Sequence, residues 1–212
     1  MINNLYEIIK KQGIEIKELK NKIVILDERI KKLEEISNNK KENNKLFGDI
    51  ITKKEQIEQI CNWINKTKSL NFKLLYKGTR DGDSYEQFHK ICDNQGTTIL
   101  IIKSKNGQIF GGYTTKSFDK NNKSLILDNK SFLFNINANK KYSASSQGGI
   151  RNFERIISFG GNDFHEFSII LNFLSKSSSW CKSNGYNLNS DLIGGYNEFL
   201  IDELEVYKIE EY

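Results

Sequence analysis

Isoleucine returns every seven residues at the front of this chain. Ile2, Ile9, Ile16, Ile23 and Ile30 take the a places of five successive heptads. Leu5, Leu19, Leu26 and Leu33 take the d places, and Gln12 fills the remaining one. A 3.5-residue repeat held this long draws a helix into a left-handed supercoil, because the seam is buried only against another helix. Ile at a with Leu at d favours two parallel strands, since β-branched a side chains pack best there. In such a pair each g residue faces the next e residue of the partner chain. Glu15 with Lys20, Lys22 with Asp27, and Arg29 with Glu34 all attract, while Ile8 with Gly13 is neutral. Exposed pairs contribute only a few tenths of a kcal/mol each, so they set orientation more than stability. Gln12 and Gly13 weaken the first two heptads. The expectation is a parallel homodimeric coiled coil over residues 1–36, a rod of roughly 50 Å at 1.5 Å per residue.

The next a and d places hold Ser37 and Lys40, so the seam ends. "SNNKKENNK", residues 37–45, reads as a polar linker. The remainder, 46–212, is long enough for one substantial core. Apolar residues make up 37% of the chain and aromatics 11%, a globular composition. No apolar run approaches the length of a membrane span, so no membrane insertion is expected. The opening "MINNLYEIIK" lacks the basic and apolar blocks of a signal peptide, which points to the cytoplasm or nucleus. Cys61, Cys92 and Cys181 are widely spaced and form no CxxC pair. They read as inert thiols in a reducing compartment. The net charge of +5 invites a nucleic-acid partner. Lys outnumbers Arg 28 to 4 and Pro is absent, so A/T-rich codon usage explains part of that basicity. Basic residues are scattered in pairs rather than gathered into runs.

Thr52 and Glu55 match a capping box, and Ile57, Ile60, Cys61 and Ile64 follow at helical spacing, which predicts a helix over 52–65. A strand is expected at 72–78. Asp83 with Glu86, or Ser84 with Gln87, caps a second helix carrying Tyr85, Phe88, Ile91 and Cys92. "TTILIIK" and "QIFGGYTT" flank Ser104-Lys105-Asn106-Gly107, a hairpin with a type I′ turn at Asn-Gly. Further strands are predicted at 124–128, 131–137, 155–160, 167–174 and 198–209. Mostly antiparallel strands after a few helices give an α+β chain. Its expected form is an antiparallel two-sheet β-sandwich with flanking helices, preceded by a long N-terminal coiled-coil helix.

Phe110-Gly111-Gly112-Tyr113 is the stretch most open to a chemical reading. Neither the P-loop nor the dinucleotide-binding glycine pattern occurs, and the glycines lie inside a strand. Strand glycines more often mark a bulge or a close approach of backbone or ring. Phe110 and Tyr113 face opposite ways, so one of them anchors a core; burial of both makes the strand central and the pair structural. The echo Gly194-Gly195-Tyr196 has no longer repeat behind it. His89, Cys92, His165 and Cys181 are the candidate metal or nucleophile groups, with no motif joining them. Asp81-Gly82-Asp83 lacks the rest of a calcium loop. Glu203 and Glu205 share a strand face, either as an acid/base pair or, more commonly, as the polar face of an amphipathic strand. No catalytic residue, cofactor or metal is assigned.

The stretch "FKLLYKGTRDGDSYEQFHKICDNQGTTILIIKSKNGQIFGGYTTKSF" resembles the TLDc domain, the module of oxidation-resistance proteins. The likeness rests on the LLY strand, the turn at Arg80, Asp81 and Gly82, the helix end Phe88-His89-x-x-Cys92-Asp93, and FGGYT. "SFGG" at 158–161 and "ELEVY" at 203–207 resemble the family's later blocks. The match covers about 46–212, with Phe118 and Tyr207 at places where other members carry Trp or another aromatic ring. It implies a two-sheet sandwich, protection against oxidative stress and, in some members, binding to the vacuolar proton pump. It brings no catalytic residue.

Three functional readings stand on the sequence. The first is a non-enzymatic dimeric module of the oxidative-stress response that acts through contacts with an unknown protein partner. The second is a homodimeric DNA-binding regulator of stress genes, using Arg80, Arg151 and Arg155. The third is an enzyme with an unrecognised site near His165, Glu203 or Glu205.

Overall fold

A computed structural model describes residues 2–43, 47–65, 69–153, 155–161, 165–175, 179–181, 192–193 and 198–212. The chain divides into two compact units, Met1–Lys45 and Leu46–Tyr212. The first consists of one helix, α1 (Ile2–Asn43). It extends past the expected boundary at residue 36 into the stretch read as linker. Residues 37–43 contain neither Gly nor Pro, so nothing in the backbone stops the helix there.

The second unit begins with a strap, residues 47–51, and α2 (Lys54–Ile64). The cap of α2 lies one residue later than expected: the Lys53 N–H donates to Gln56 Oε1 at 3.3 Å, and Thr52 stays outside. Then follow β1 (Leu70–Lys77), the single turn α3 (Gly78–Asp81) and α4 (Tyr85–Cys92). Ser84 caps α4, its Oγ accepting from the Gln87 N–H at 3.2 Å. The remaining strands are β2 (Thr98–Ser104), β3 (Ile109–Thr114), β4 (Ile126–Leu127), β5 (Phe132–Asn135), β6 (Lys140–Ser143) and β7 (Gly149–Phe153). After them come β8 (Ile156–Gly160), β9 (His165–Ile170), β10 (Ser179–Cys181), β11 (Glu198–Phe199) and β12 (Ile201–Glu211). A 3-10 turn spans Phe173–Ser175, where the sequence suggested that β9 continued.

The strands form two antiparallel sheets. The first runs β1-β12-β2-β3-β5-β6 and the second β11-β10-β9-β8-β7-β4. The segment expected as one strand over 198–209 is two: β11 belongs to the second sheet and β12 to the first, with the half-exposed Leu200 at the crossing. The sheets share a core that includes Leu100, Phe110, Phe159, Phe167, Leu204 and Val206. Phe118 is fully buried in that core, edge-on to Phe88 at 5.6 Å. The other face of the first sheet is also covered. Ile99, Ile101, Tyr113, Phe132, Phe134 and Tyr207 lie beneath Phe47, Ile50 and Ile51 of the strap and Ile60 of α2. A continuous apolar run such as "ILII" in β2 is therefore buried on both sides.

The β2–β3 hairpin forms as expected, but its turn differs. Gly107 alone takes positive φ, at 83°, and Asn106 does not. The Gly107 N–H donates to Ser104 O at 2.9 Å, and the Ser104 N–H donates to Gln108 O at 3.0 Å. This is a three-residue loop closed by a left-handed glycine, in place of type I′. Its cause is local: the Ser104 hydroxyl bonds to Asn106 Oδ1, and Oγ also accepts from the Gln108 N–H at 3.0 Å.

Phe110 and Tyr113 are both buried, in different cores, because β3 is interior and covered on both faces. The two glycines between them allow close approach. A Cβ on Gly111 would meet Leu100 O at 1.9 Å, and a Cβ on Gly112 would meet the tip of the Phe159 ring at 2.5–2.8 Å. Gly112 is thus where the second sheet presses onto the first. Gly112→Ala is expected to cost about 1–3 kcal/mol in urea unfolding by overpacking, and Phe159→Leu in that background should recover part of the loss. No recovery would show that the ring is not what limits this position.

Candidate functional site

β12 lies between β1 and β2, so its backbone is paired on both edges. Glu203, Glu205, Tyr207 and Ile209 alternate on its outer face. That face is not the solvated polar surface the two carboxylates suggested, for Glu205 is fully buried and Glu203 is 8% exposed. Burying carboxylates costs several kcal/mol unless donors replace the lost water. Glu203 Oε1 accepts from the Thr79 N–H at 3.1 Å and the Leu204 N–H at 3.0 Å, and Oε2 accepts from the Thr79 hydroxyl. Lys77 Nζ lies 3.9 Å away and also pairs with Asp49.

Glu205 serves the strap. Its Oε1 accepts from the Asp49 N–H at 2.8 Å, and its Oε2 accepts from the Tyr207 hydroxyl at 2.7 Å. The Tyr207 oxygen in turn accepts from the Gly48 N–H. The carboxylate occupies the space a Cβ on Gly48 would need. Burial, reinforced by the hydrogen bond to Glu205, pushes the Tyr207 hydroxyl well above its ordinary pKa. The Asp49 carboxylate beside it raises the Lys77 ammonium and is itself held below the usual range by Lys77. The two carboxylates therefore form neither an acid/base couple open to a substrate nor a polar surface: Glu205 anchors the strap, and Glu203 holds α3. One signal in the sequence could have shown this, since Tyr207 and Ile209 continue the same face and mark it as covered.

Of the other candidate groups, those with described side chains, His89 and Cys92, form no joint site. His89 and Cys92 share α4, but the His89 ring faces Asp93, with Nδ1 2.5 Å from Oδ1. Asp93 also accepts from the Lys120 N–H at 2.9 Å, tying the loop after β3 to α4. Burial lowers the His89 pKa below 6.5, outweighing the opposing pull of Asp93, with Lys123 and Lys120 adding to the lowering. The neutral ring then donates from Nδ1, and Nε2 is buried without a partner among the described residues. Burial pushes the Cys92 thiol up, and the half-buried Cys61 likewise, so neither favours the reactive thiolate. The side chains of His165 and Cys181 lie outside the described residues, as does Gly194-Gly195-Tyr196. No group of three His, Cys, Asp or Glu able to hold a metal occurs among the described residues.

Arg80 grips Asp81 through Nε at 2.8 Å and Nη2 at 2.7 Å, with Nη2 also donating to Leu75 O, so its charge is neutralised where it stands. Arg151 lies in β7 and Arg155 in the β7–β8 turn, both in the second sheet, whereas Arg80 packs with β1 and β12 of the first. Along α1, Ile16, Leu19, Ile23, Leu26 and Ile30 are each more than half exposed, and Gln12 is exposed. The side chains of Ile2, Leu5, Ile9 and Leu33 lie outside the described residues. No helix among the described residues is long and apolar enough to cross a membrane.

A sequence model of the TLDc domain matches residues 45–210. The chain is 24% identical over 156 residues to "MTOR-associated protein MEAK7" of Mus musculus, covering 66% of this chain and 34% of that protein. The protein of the same name from Danio rerio is 28% identical over 68 residues, 32% of this chain and 15% of that protein. The chain thus spans about a third or less of the length of these curated relatives.

Glu205→Ala strands the Asp49 N–H and the Tyr207 hydroxyl in the interior, and should lower unfolding stability by roughly 2–3 kcal/mol. Asp49→Ala removes only an exposed partner of Lys77 and should leave stability nearly unchanged; equal losses in urea titrations would contradict the anchor. His89 gives a pH signature. Its folded pKa is depressed, so its stabilisation is complete above the unfolded pKa near 6.5 and is lost as pH falls toward the folded value. Thermal melts of the wild type and His89→Gln should diverge in slope below that pH, and parallel slopes would refute the assignment.

Proposed function

This chain belongs to the TLDc domain family, and from that premise we propose that it is a non-enzymatic interaction module paired through its N-terminal helix. The carrying observation is the α1 seam: five a and d side chains, Ile16 to Ile30, each more than half exposed on a single helix. A seam in the 3.5-residue register is buried by a second copy of itself, and the attractive g-to-e pairs favour the parallel arrangement over residues 1–36. Val24 and Ile25 extend the apolar surface beyond a and d at mid-helix. The internal use of Glu203 and Glu205 and the raised thiols of Cys61 and Cys92 support a role without catalysis.

The resemblance to oxidation-resistance proteins supports a role in the oxidative-stress response, through contact with another protein. The mouse relative's name, an MTOR-associated protein, supports extending the proposal to a partner in that signalling class. The charge pattern does not favour a nucleic-acid role, since Arg80 is neutralised by Asp81.

Sedimentation equilibrium of the full chain should give about twice its 24.6 kDa mass, and Ile16→Glu with Ile23→Glu should return the monomer without changing the thermal melt of the globular unit. A wild-type chain that stays monomeric at tens of micromolar would defeat the pairing.

A further inference from the structure

The outer face of the first sheet is not covered to its end. Beyond the C-terminus of α2 an open cleft of about 680 Å³ crosses the ends of its strands, with Trp63 on one side and Tyr113 and Phe132 as its floor. The two floor rings stack at 4.8 Å. A second hollow of about 380 Å³ adjoins it, sharing Thr115, Asn129 and Lys130, and is bordered by Leu127, which is 55% exposed. Together they make one groove running from α2 to β4, the edge strand of the second sheet.

Three lysines and two carboxylates, Asp128 and Glu211, line this groove. Asp128 is buried and spends its oxygens on the Thr114 and Thr115 hydroxyls and on the Thr115 and Lys130 N–H groups. Lys116, Lys130 and Lys141, which line the groove, pair with no carboxylate among the described residues. Lys141 is held in place: Nζ donates to Trp63 O at 2.7 Å and lies 4.3 Å from the centroid of the Phe132 ring. That backbone bond and ring contact fix a cation at the wall without neutralising it. Leu127 supplies an exposed apolar position beside Lys116 and Lys130.

We propose that this groove is a docking site for an acidic peptide segment of a partner protein, carrying an apolar anchor for Leu127 or Trp63 between its carboxylates. The occupant is anionic because three lysines outnumber the two lining carboxylates, and one of these, Asp128, is buried with its oxygens already engaged. It is a peptide rather than a nucleic acid for two reasons. The floor rings are only 6% and 2% exposed, so bases have almost no ring face to stack on. Glu211 also lines the cleft, and no Arg does, which disfavours a continuous polyanion. Glu211 gives the site polarity, calling for a basic or neutral residue at the β12 end of the peptide and acids toward β6.

The inference rests on the interaction-module reading above and specifies its surface. The probe is a library of phage-displayed 12-residue peptides selected on the immobilised full chain, the selected consensus then being made as a fluorescein-labelled peptide for anisotropy. The expected result is enrichment of Asp and Glu around one or two apolar residues. Lys116→Glu with Lys130→Glu, both at exposed positions, should then weaken binding by about tenfold or more, with a thermal melt matching the wild type. A selection without acidic enrichment, no selection at all, binding indifferent to the double reversal, or equal competition by oligothymidylate would each overturn the proposal. Competition by a second copy of the chain would likewise replace the partner peptide with self-association. A chain that pairs in sedimentation but ignores acidic peptides loses this inference alone. One that neither pairs nor selects a peptide loses the interaction reading as well.

Discussion

Burial of the first sheet on both faces is the constraint from which most of the globular unit follows. Its inner face meets the second sheet, so its outer face has to be closed by something else, and the strap and α2 do so. That closure puts Glu205 and Tyr207 out of reach of water. A buried carboxylate is tolerated only with donors aimed at it, and the donors come from the strap itself, through the Asp49 N–H and, by way of Tyr207, the Gly48 N–H. Cover and anchor are thus mutually dependent. The apolar side chains Phe47, Ile50 and Ile51 bring the strap to the sheet, and Glu205 fixes its register there. On the inner face the same economy of space appears at Gly112, where any side chain would collide with Phe159.

Much of this order could be read from residue patterns. Helix α4 and its Ser84 cap, the β2–β3 hairpin and the two-sheet class followed from spacing and turn chemistry. What escaped did so for physical reasons. The hairpin turn departs from type I′ because Asn-Gly allows that turn but does not require it, and a serine at the strand end redirects the backbone through its hydroxyl. The strand over 198–209 was one hydrophobic run in sequence, yet two in space, because a change of sheet at Leu200 leaves no mark on alternation. Strands β6 and β7 carry too few apolar residues to stand out from loops. The role of Glu203 and Glu205 was hidden because alternation reveals which residues share a face, not whether that face is wet. Only Tyr207 and Ile209 on the same side betrayed it.

The buried polar groups also bear on the choice between chemistry and contact. A catalytic carboxylate or imidazole has to present a free lone pair or proton to a ligand. Glu203 and Glu205 present theirs to the chain's own amides and hydroxyls. His89 directs Nδ1 at Asp93, which in turn accepts from the Lys120 N–H of the loop after β3, and keeps Nε2 buried. Each polar cluster thus closes a segment onto the sandwich: the strap by Glu205, α3 by Glu203, the loop after β3 by Asp93. The groove lysines carry charge without a carboxylate partner among the described residues, and the α1 seam carries exposed apolar surface. Both are features of surfaces that meet other chains.

Pairing and docking reinforce one another in energetic terms. A shallow groove with three lysines and a few apolar contacts is suited to weak binding, since much of its Coulombic attraction is screened at physiological salt. In the proposed pair two copies present two such grooves, and the second engagement becomes intramolecular. On the proposed reading, the heptad seam supplies affinity by joining two sites and the groove supplies chemical selectivity.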